Sequence, residues 1–208
     1  ISTAPTYLFW RCAPPELRIP QIAIQLLRDV AGRIIVIGPH GSTTPKATLK
    51  KLGVDVVVMG EPEELLSELA GDWSAIHSLC YTREPGGIVT GEPHYADMQK
   101  LPALRWSGDY LARHRHHHHR FDARPGGPGA EMETSRGCPY HCTFCAKENF
   151  RNQYRKRPLA TVLQELDGLV AQGVEYIYFI DEIFLPQKDL LKALAERPVK
   201  IGVQTRID

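Results

Sequence analysis

Three cysteines crowd into eight residues, Cys138-Pro139-Tyr140-His141-Cys142-Thr143-Phe144-Cys145, at the spacing Cys-x-x-x-Cys-x-x-Cys. Three thiolates on one short loop can hold three corners of a cuboidal iron–sulfur cluster, whereas four would close it. The fourth iron is then open to a ligand, and an open coordination position separates a catalytic metal site from a structural one. Two other readings use the same residues: a Cys3His zinc site completed by His141 or by the histidines near 114–119, and buried thiols with no metal. Zinc sites usually bring ligands in two separated pairs, and His141 directly beside Cys142 is awkward for joint ligation. The remaining cysteines, Cys12 and Cys80, have no partner pattern and read as small buried residues. Five cysteines, an odd number with three of them crowded together, do not make a disulfide framework.

Other residues with chemistry stand at the ends of apolar runs. Asp181 and Glu182 follow Tyr176 to Ile180, where acidic residues also leave strands for solvent. His40 lies between Pro39 and Gly41, followed by Ser42, Thr43 and Thr44. That loop can bond an anion or amide through backbone N–H groups and hydroxyls, or simply cap a helix at Thr44. Glu61 after Gly60 faces a crevice on one reading; on the other, Glu61, Glu63 and Glu64 favour a positive helix start. Five histidines within Arg113 to Arg120 invite a metal-binding reading, but a tract flanked by arginines lacks the convergent geometry of a site and reads as a solvated or domain-contact segment.

The elements that must position these residues alternate along the chain. Strands are expected at Thr6 to Trp10, Arg33 to Ile37 and Val54 to Met59, and helices at Pro20 to Val30, Pro45 to Leu52 and Pro62 to Leu69. Pro45 and Pro62 fall at first helical positions, where a missing N–H costs nothing. The fold class is α/β: a doubly wound, Rossmann-like sheet over 1–103, whose ligands bind beyond the carboxyl ends of the strands, at Pro39, His40, Gly41, Ser42 and Thr43 and at Gly60 and Glu61. Residues 104–130 form a linker rich in His, Gly and Pro, with five Arg against two Asp between Arg105 and Arg124. From 131 to 208 a second alternation follows: a strand at Glu131 to Ser135, the cysteine loop, a helix at Leu159 to Ala171, a strand at Val174 to Ile180, a helix at Lys188 to Glu196 and a strand at Val199 to Gln204. That is the first part of a βα barrel of the TIM type.

Composition bounds the partners. The 208 residues are 43% hydrophobic, and 25 Lys and Arg against 24 Asp and Glu give a formal charge of +1. No basic footprint for nucleic acid or an anionic membrane stands out, and no apolar run approaches a membrane span. The expected partner is a small molecule and the expected location cytoplasmic. A start at Ile1 and a stop just off a strand suggest part of a longer polypeptide.

A Cys-x-x-x-Cys-x-aromatic-Cys loop after a first barrel strand resembles the radical S-adenosylmethionine (radical SAM) superfamily, and the preceding domain resembles its cobalamin-binding subfamily. Further likeness lies in Ile35 to Ser42, Val54 to Glu64, Arg155 to Pro158 with the helix after it, Phe179 to Phe184, and Gln204 to Asp208. The resemblance implies that Cys138, Cys142 and Cys145 ligate a 4Fe-4S cluster whose free iron chelates S-adenosylmethionine. It places Phe144 against the adenine, Asp181 and Glu182 at the methionine ammonium, and Arg206 at the carboxylate or ribose. Cobalamin would lie against Pro39 to Thr43, Gly60 and Glu61. No Asp-x-His-x-x-Gly motif for a histidine lower ligand is present. The activity implied is methyl transfer to an unactivated carbon through a 5′-deoxyadenosyl radical and methylcobalamin, with flavodoxin or ferredoxin as electron donor. A rearrangement or cyclisation without methyl transfer, and a non-catalytic metal-binding regulatory module, are the alternatives.

Overall fold

A computed structural model describes residues 1–3, 17–113, 128–145 and 151–207. The strand expected at Thr6 to Trp10, Cys12, the histidine tract and the Pro125 to Gly127 run lie outside these residues. The chain divides into two compact units, Ile1–Ala96 and Asp97–Asp208.

In the first unit, helix α1 (Arg18–Leu27) is followed by strand β1 (Ile35–Val36), a short helical turn α2 (Pro39–Thr43), helix α3 (Pro45–Leu52) and strand β2 (Val56–Val58). α3 begins on Pro45 and ends at Gly53, which adopts the left-handed conformation that closes a helix without Cβ strain. β2 is buried on both faces. Val57 packs with Ile24, Val36, Leu49 and Leu52, while Val56 and Val58 pack with Leu65, Leu69 and Leu79. A strand covered on both sides reads as a continuous apolar run, and Val56-Val57-Val58 is one.

The sheet is mixed rather than wholly parallel. β1 and β2 are parallel, but β3 (Leu79–Thr82) runs antiparallel to β2 and β4 (Ile88–Thr90) antiparallel to β3, in the order β1-β2-β3-β4. A parallel successor needs a crossover, usually a helix. Here the expected helix at Pro62 to Leu69 is absent: residues 63–67 form turns and only Glu68–Ala70 winds into a 3-10 turn. Leu65, Leu69 and Ile76 tuck this stretch against β2 and β3, so the chain re-enters the sheet without crossing over.

The second unit has parallel strands in the order β5-β8-β9, being Gly129–Met132, Tyr176–Phe179 and Lys200–Gly202. Helices α5 (Leu159–Ala171) and α6 (Lys188–Ala195) make the connections. Ala130, Met132, Ile177 and Phe179 form the sheet side of one core with Val162, Leu166, Leu169, Leu190 and Leu194. Between β5 and α5 a two-stranded ribbon, β6 (Ser135–Arg136) with β7 (Arg155–Lys156), carries the cysteine segment. Part of the stretch expected as linker is structured: α4 (Gly108–Arg113) puts Leu111 into this core, because its one buried apolar side chain finds a place there.

One buried ion pair ties these pieces together. Arg157 donates from Nη2 to Glu165 Oε2 at 2.7 Å and to the Pro102 carbonyl at 2.9 Å, and from Nη1 to the Glu133 carbonyl at 2.8 Å. The Leu104 N–H donates to the same Glu165 oxygen at 3.0 Å. Among the described residues no helix is long and apolar enough to cross a membrane.

Candidate functional site

The cysteine loop leaves the carboxyl end of β5, where ligands of parallel sheets gather. Cys138, Cys142 and Cys145 are free thiols, the first two partly exposed and the last exposed. The Cys145 N–H donates to the Cys142 carbonyl at 3.0 Å, which turns the chain between the second and third cysteines. Phe144, inside that turn, is 92% exposed. A large aromatic held out in solvent beside three thiols is available for a flat ligand.

Arg206, beyond β9, reaches this loop. Its Nη1 donates to Cys142 Sγ at 3.7 Å, and its guanidinium carbon stands 4.4 Å from the centre of the Tyr140 ring. The structure thus brings Arg206, Tyr140 and the second cysteine together.

Asp181 and Glu182 bond the start of the cysteine segment. Asp181 is 1% exposed. One carboxylate oxygen accepts the Thr134 N–H at 2.7 Å; the other accepts the Thr134 and Ser135 hydroxyls, the latter at 2.6 Å. Burial pushes its carboxyl up, opposed by these hydrogen bonds. Glu182 accepts the Gly137 N–H on Oε2 and Arg151 Nη1 on Oε1, both at 2.9 Å. Both carboxylates are therefore engaged by the protein's own loop, because the strand ends that carry acids here face the polar start of the cysteine segment.

Glu133 was missed by the sequence reading, although an acid between Met132 and Thr134 at a strand exit was its signal. Both its oxygens accept Arg136 Nε at 2.9 Å. Burial nevertheless pushes its carboxyl up to about 7, against the opposing charges of Arg136 and Arg151.

In the first unit, the residues at the β1 and β2 exits hold each other. Ser42 Oγ donates to the Gly38 carbonyl at 3.1 Å and accepts the Gly60 N–H at 2.8 Å. Glu61 is 2% exposed, and its Oε2 accepts the Ala96 N–H at 2.8 Å. Gly41 lies so close to Val57 that a Cβ would stand 2.5 Å from its Cγ1, and one on Gly60 would stand 2.2 Å from the His94 carbonyl oxygen. Thr43 donates to the Pro39 carbonyl at 2.9 Å, and the Thr44 hydroxyl bonds the His40 carbonyl instead of capping α3. His40 Nδ1 alone in this group is a buried polar atom with no partner. Cys80 is buried, as expected, and burial pushes its thiol up. Among the described residues no three His, Cys, Asp or Glu side chains stand close enough to hold a single metal ion.

Residues 132–206 match the radical SAM superfamily. The fold is similar to those of two solved radical S-adenosylmethionine enzymes. The structure covers 85% of this chain and 35% of the radical SAM methyltransferase TsrM from Kitasatospora setae, at 22% identity and a TM-score of 0.60. For the cobalamin-dependent S-adenosylmethionine radical enzyme OxsB the shares are 88% and 27%, at 20% identity and a TM-score of 0.65. Among curated relatives, an uncharacterized methyltransferase of Pyrococcus horikoshii is 30% identical over 74% of this chain and 34% of its own length. A ribosomal protein uS12 methylthiotransferase of a Nostoc species is 26% identical over 76% and 30%. An anaerobic magnesium-protoporphyrin IX monomethyl ester cyclase of Rubrivivax gelatinosus is 24% identical over 81% and 32%. The chain spans about a third of the length of these curated relatives.

Proposed function

We propose that this chain is part of a cobalamin-dependent radical SAM enzyme that methylates an unactivated carbon of a small molecule. The observation that carries this reading is the loop of three free thiols at the carboxyl end of a parallel strand, with Arg206 on Cys142. The donor set suits a cuboidal cluster: three thiolates on one loop, an open fourth corner and a cation beside them. When bound, the cluster supplies the electron that cleaves S-adenosylmethionine, and cobalamin carries the methyl group. Cys138, Cys142 and Cys145 would hold the cluster. Phe144 offers its exposed face to the adenine, and Arg206 offers a fork of donors to the carboxylate.

For cobalamin, the residues at the β1 and β2 exits divide by what they have left to give. Ser42, Gly60 and Glu61 shape the wall, while Pro39, His40, Gly41 and Thr43 border it. The unpartnered Nδ1 of His40 is a hydrogen-bonding atom for a corrin amide. The likeness to TsrM and to the Pyrococcus methyltransferase supports methyl transfer. The likeness to the cyclase favours the second reading, ring closure without methyl transfer.

The test uses the full-length protein under anaerobic conditions with S-adenosylmethionine, cobalamin and a reductant. About four iron and four sulfide per chain are expected after reconstitution, lost in Cys142→Ala, with a product heavier by one methylene unit. A product of unchanged carbon count returns the cyclisation reading. Stoichiometric zinc, or failure to cleave S-adenosylmethionine, removes both.

A further inference from the structure

We infer that Glu182 is the residue that closes the base of the cysteine loop, a positioning role distinct from contact with a cosubstrate. The loop leaves and rejoins the body of the unit at two points. At the first, the Gly137 N–H donates to Glu182 Oε2 at 2.9 Å. At the second, Arg151 donates from Nη1 to Glu182 Oε1 at 2.9 Å. The two points are also joined directly, because the Cys138 N–H donates to the Arg151 carbonyl at 3.1 Å. Gly137, Cys138, Arg151 and Glu182 therefore form a closed ring, with Glu182 as the only member that comes from the β8 exit.

The backbone supports the same conclusion. Gly137 has φ 79°, and a Cβ there would stand 2.1 Å from the Gln153 carbonyl oxygen. The departing and returning chains thus pass in contact, a geometry open to glycine alone. Just before the ring, Asp181 takes the Thr134 N–H and the Thr134 and Ser135 hydroxyls. Consecutive acids of one strand exit hold consecutive stretches of the loop's entry, and Glu182 alone also holds its return.

A carboxylate shared by a backbone N–H and a guanidinium is stronger than two neutral bonds, and loss of one charged partner strands the other. The role is tested first on the metal-free full chain, by hydrogen exchange at the Gly137 and Cys138 amides. Both should exchange slowly in the wild type, and about tenfold or more faster in Glu182→Ala, with partial recovery in Glu182→Gln, whose carbonyl still accepts one bond. Arg151→Gln, which leaves the β8 exit intact, should reproduce the effect should Glu182→Ala fail to fold. The second measurement rests on the cluster reading: iron release to a chelator from the reconstituted protein should quicken in the same order, Ala above Gln above wild type. Glu196→Gln, on the exposed end of α6, serves as control. Exchange at Gly137 and Cys138 unchanged in both Glu182→Ala and Arg151→Gln overturns the inference. Faster exchange in a chain that takes up no iron leaves the inference standing and removes the cluster reading.

Discussion

Glu133 is where burial and charge compete most directly at the site. Its carboxyl meets Arg136 through both oxygens, yet burial holds it protonated up to about 7, against an ordinary value of 4.5. Between those values the folded chain keeps a proton that the unfolded chain has lost, so stability falls as pH rises from about 4.5 to 7 and stays at the lower level above. Urea unfolding of wild type and Glu133→Gln at pH 4.5 and 7.5 measures this. The wild type should lose up to about 3 kcal/mol relative to the variant across that window, and a difference that does not change with pH removes the carboxyl's role. At this scale the candidates stood out in the sequence: three cysteines at fixed spacing, Phe144 between them and Arg206 beyond the last strand. What could not be read was which partner an acid takes. Asp181 and Glu182 announce negative charge at a strand end, but Thr134, Ser135 and Gly137 lie 45 or more residues back, and nothing local marks them as the recipients.

Elements were legible where local signals sufficed. α3 and α5 occupy the spans expected for them, each set by a proline at or just before its first turn and by apolar residues at helical spacing. The β3 and β4 hairpin was not anticipated, although Glu84-Pro85-Gly86-Gly87 between two β-rich runs is a turn signal. The failed helix after Gly60 has a tertiary cause. Gly60 takes φ 82° and lies against His94, and Leu65, Leu69 and Ile76 pack the stretch after it onto β2 and β3. Propensity lost to a close backbone crossing. Gly60→Ala should therefore cost about 2–4 kcal/mol, since it adds both strain at positive φ and a contact that backbone cannot yield. Thermal unfolding measures the loss, and an alanine chain as stable as wild type shows that the crossing is loose.

Across the second unit, the Arg157 and Glu165 pair joins α5 to the Glu133 carbonyl, to Pro102 and to Leu104. Their side chains are 3% and 0% exposed, so removing one partner leaves a buried charge. Glu165→Leu should destabilise by about 3–5 kcal/mol, and Arg157→Met with Glu165→Leu should recover much of that, because the pair's own desolvation cost disappears with it. Equal losses in single and double variants, measured by urea unfolding, would mean that the backbone bonds to Arg157 matter more than the charge. The grip of Asp181 and Glu182 on the cysteine segment also sets an order in time. During synthesis the three thiols emerge well before the β8 exit that fixes their loop, since the bonds to Thr134 and Gly137 span 47 and 45 residues. Until β8 pairs with β5 the cysteines sit on an unclosed chain, and closing it carries the entropic cost of a long loop. On the cluster reading, insertion would follow the arrival of a strand that contains none of the three cysteines.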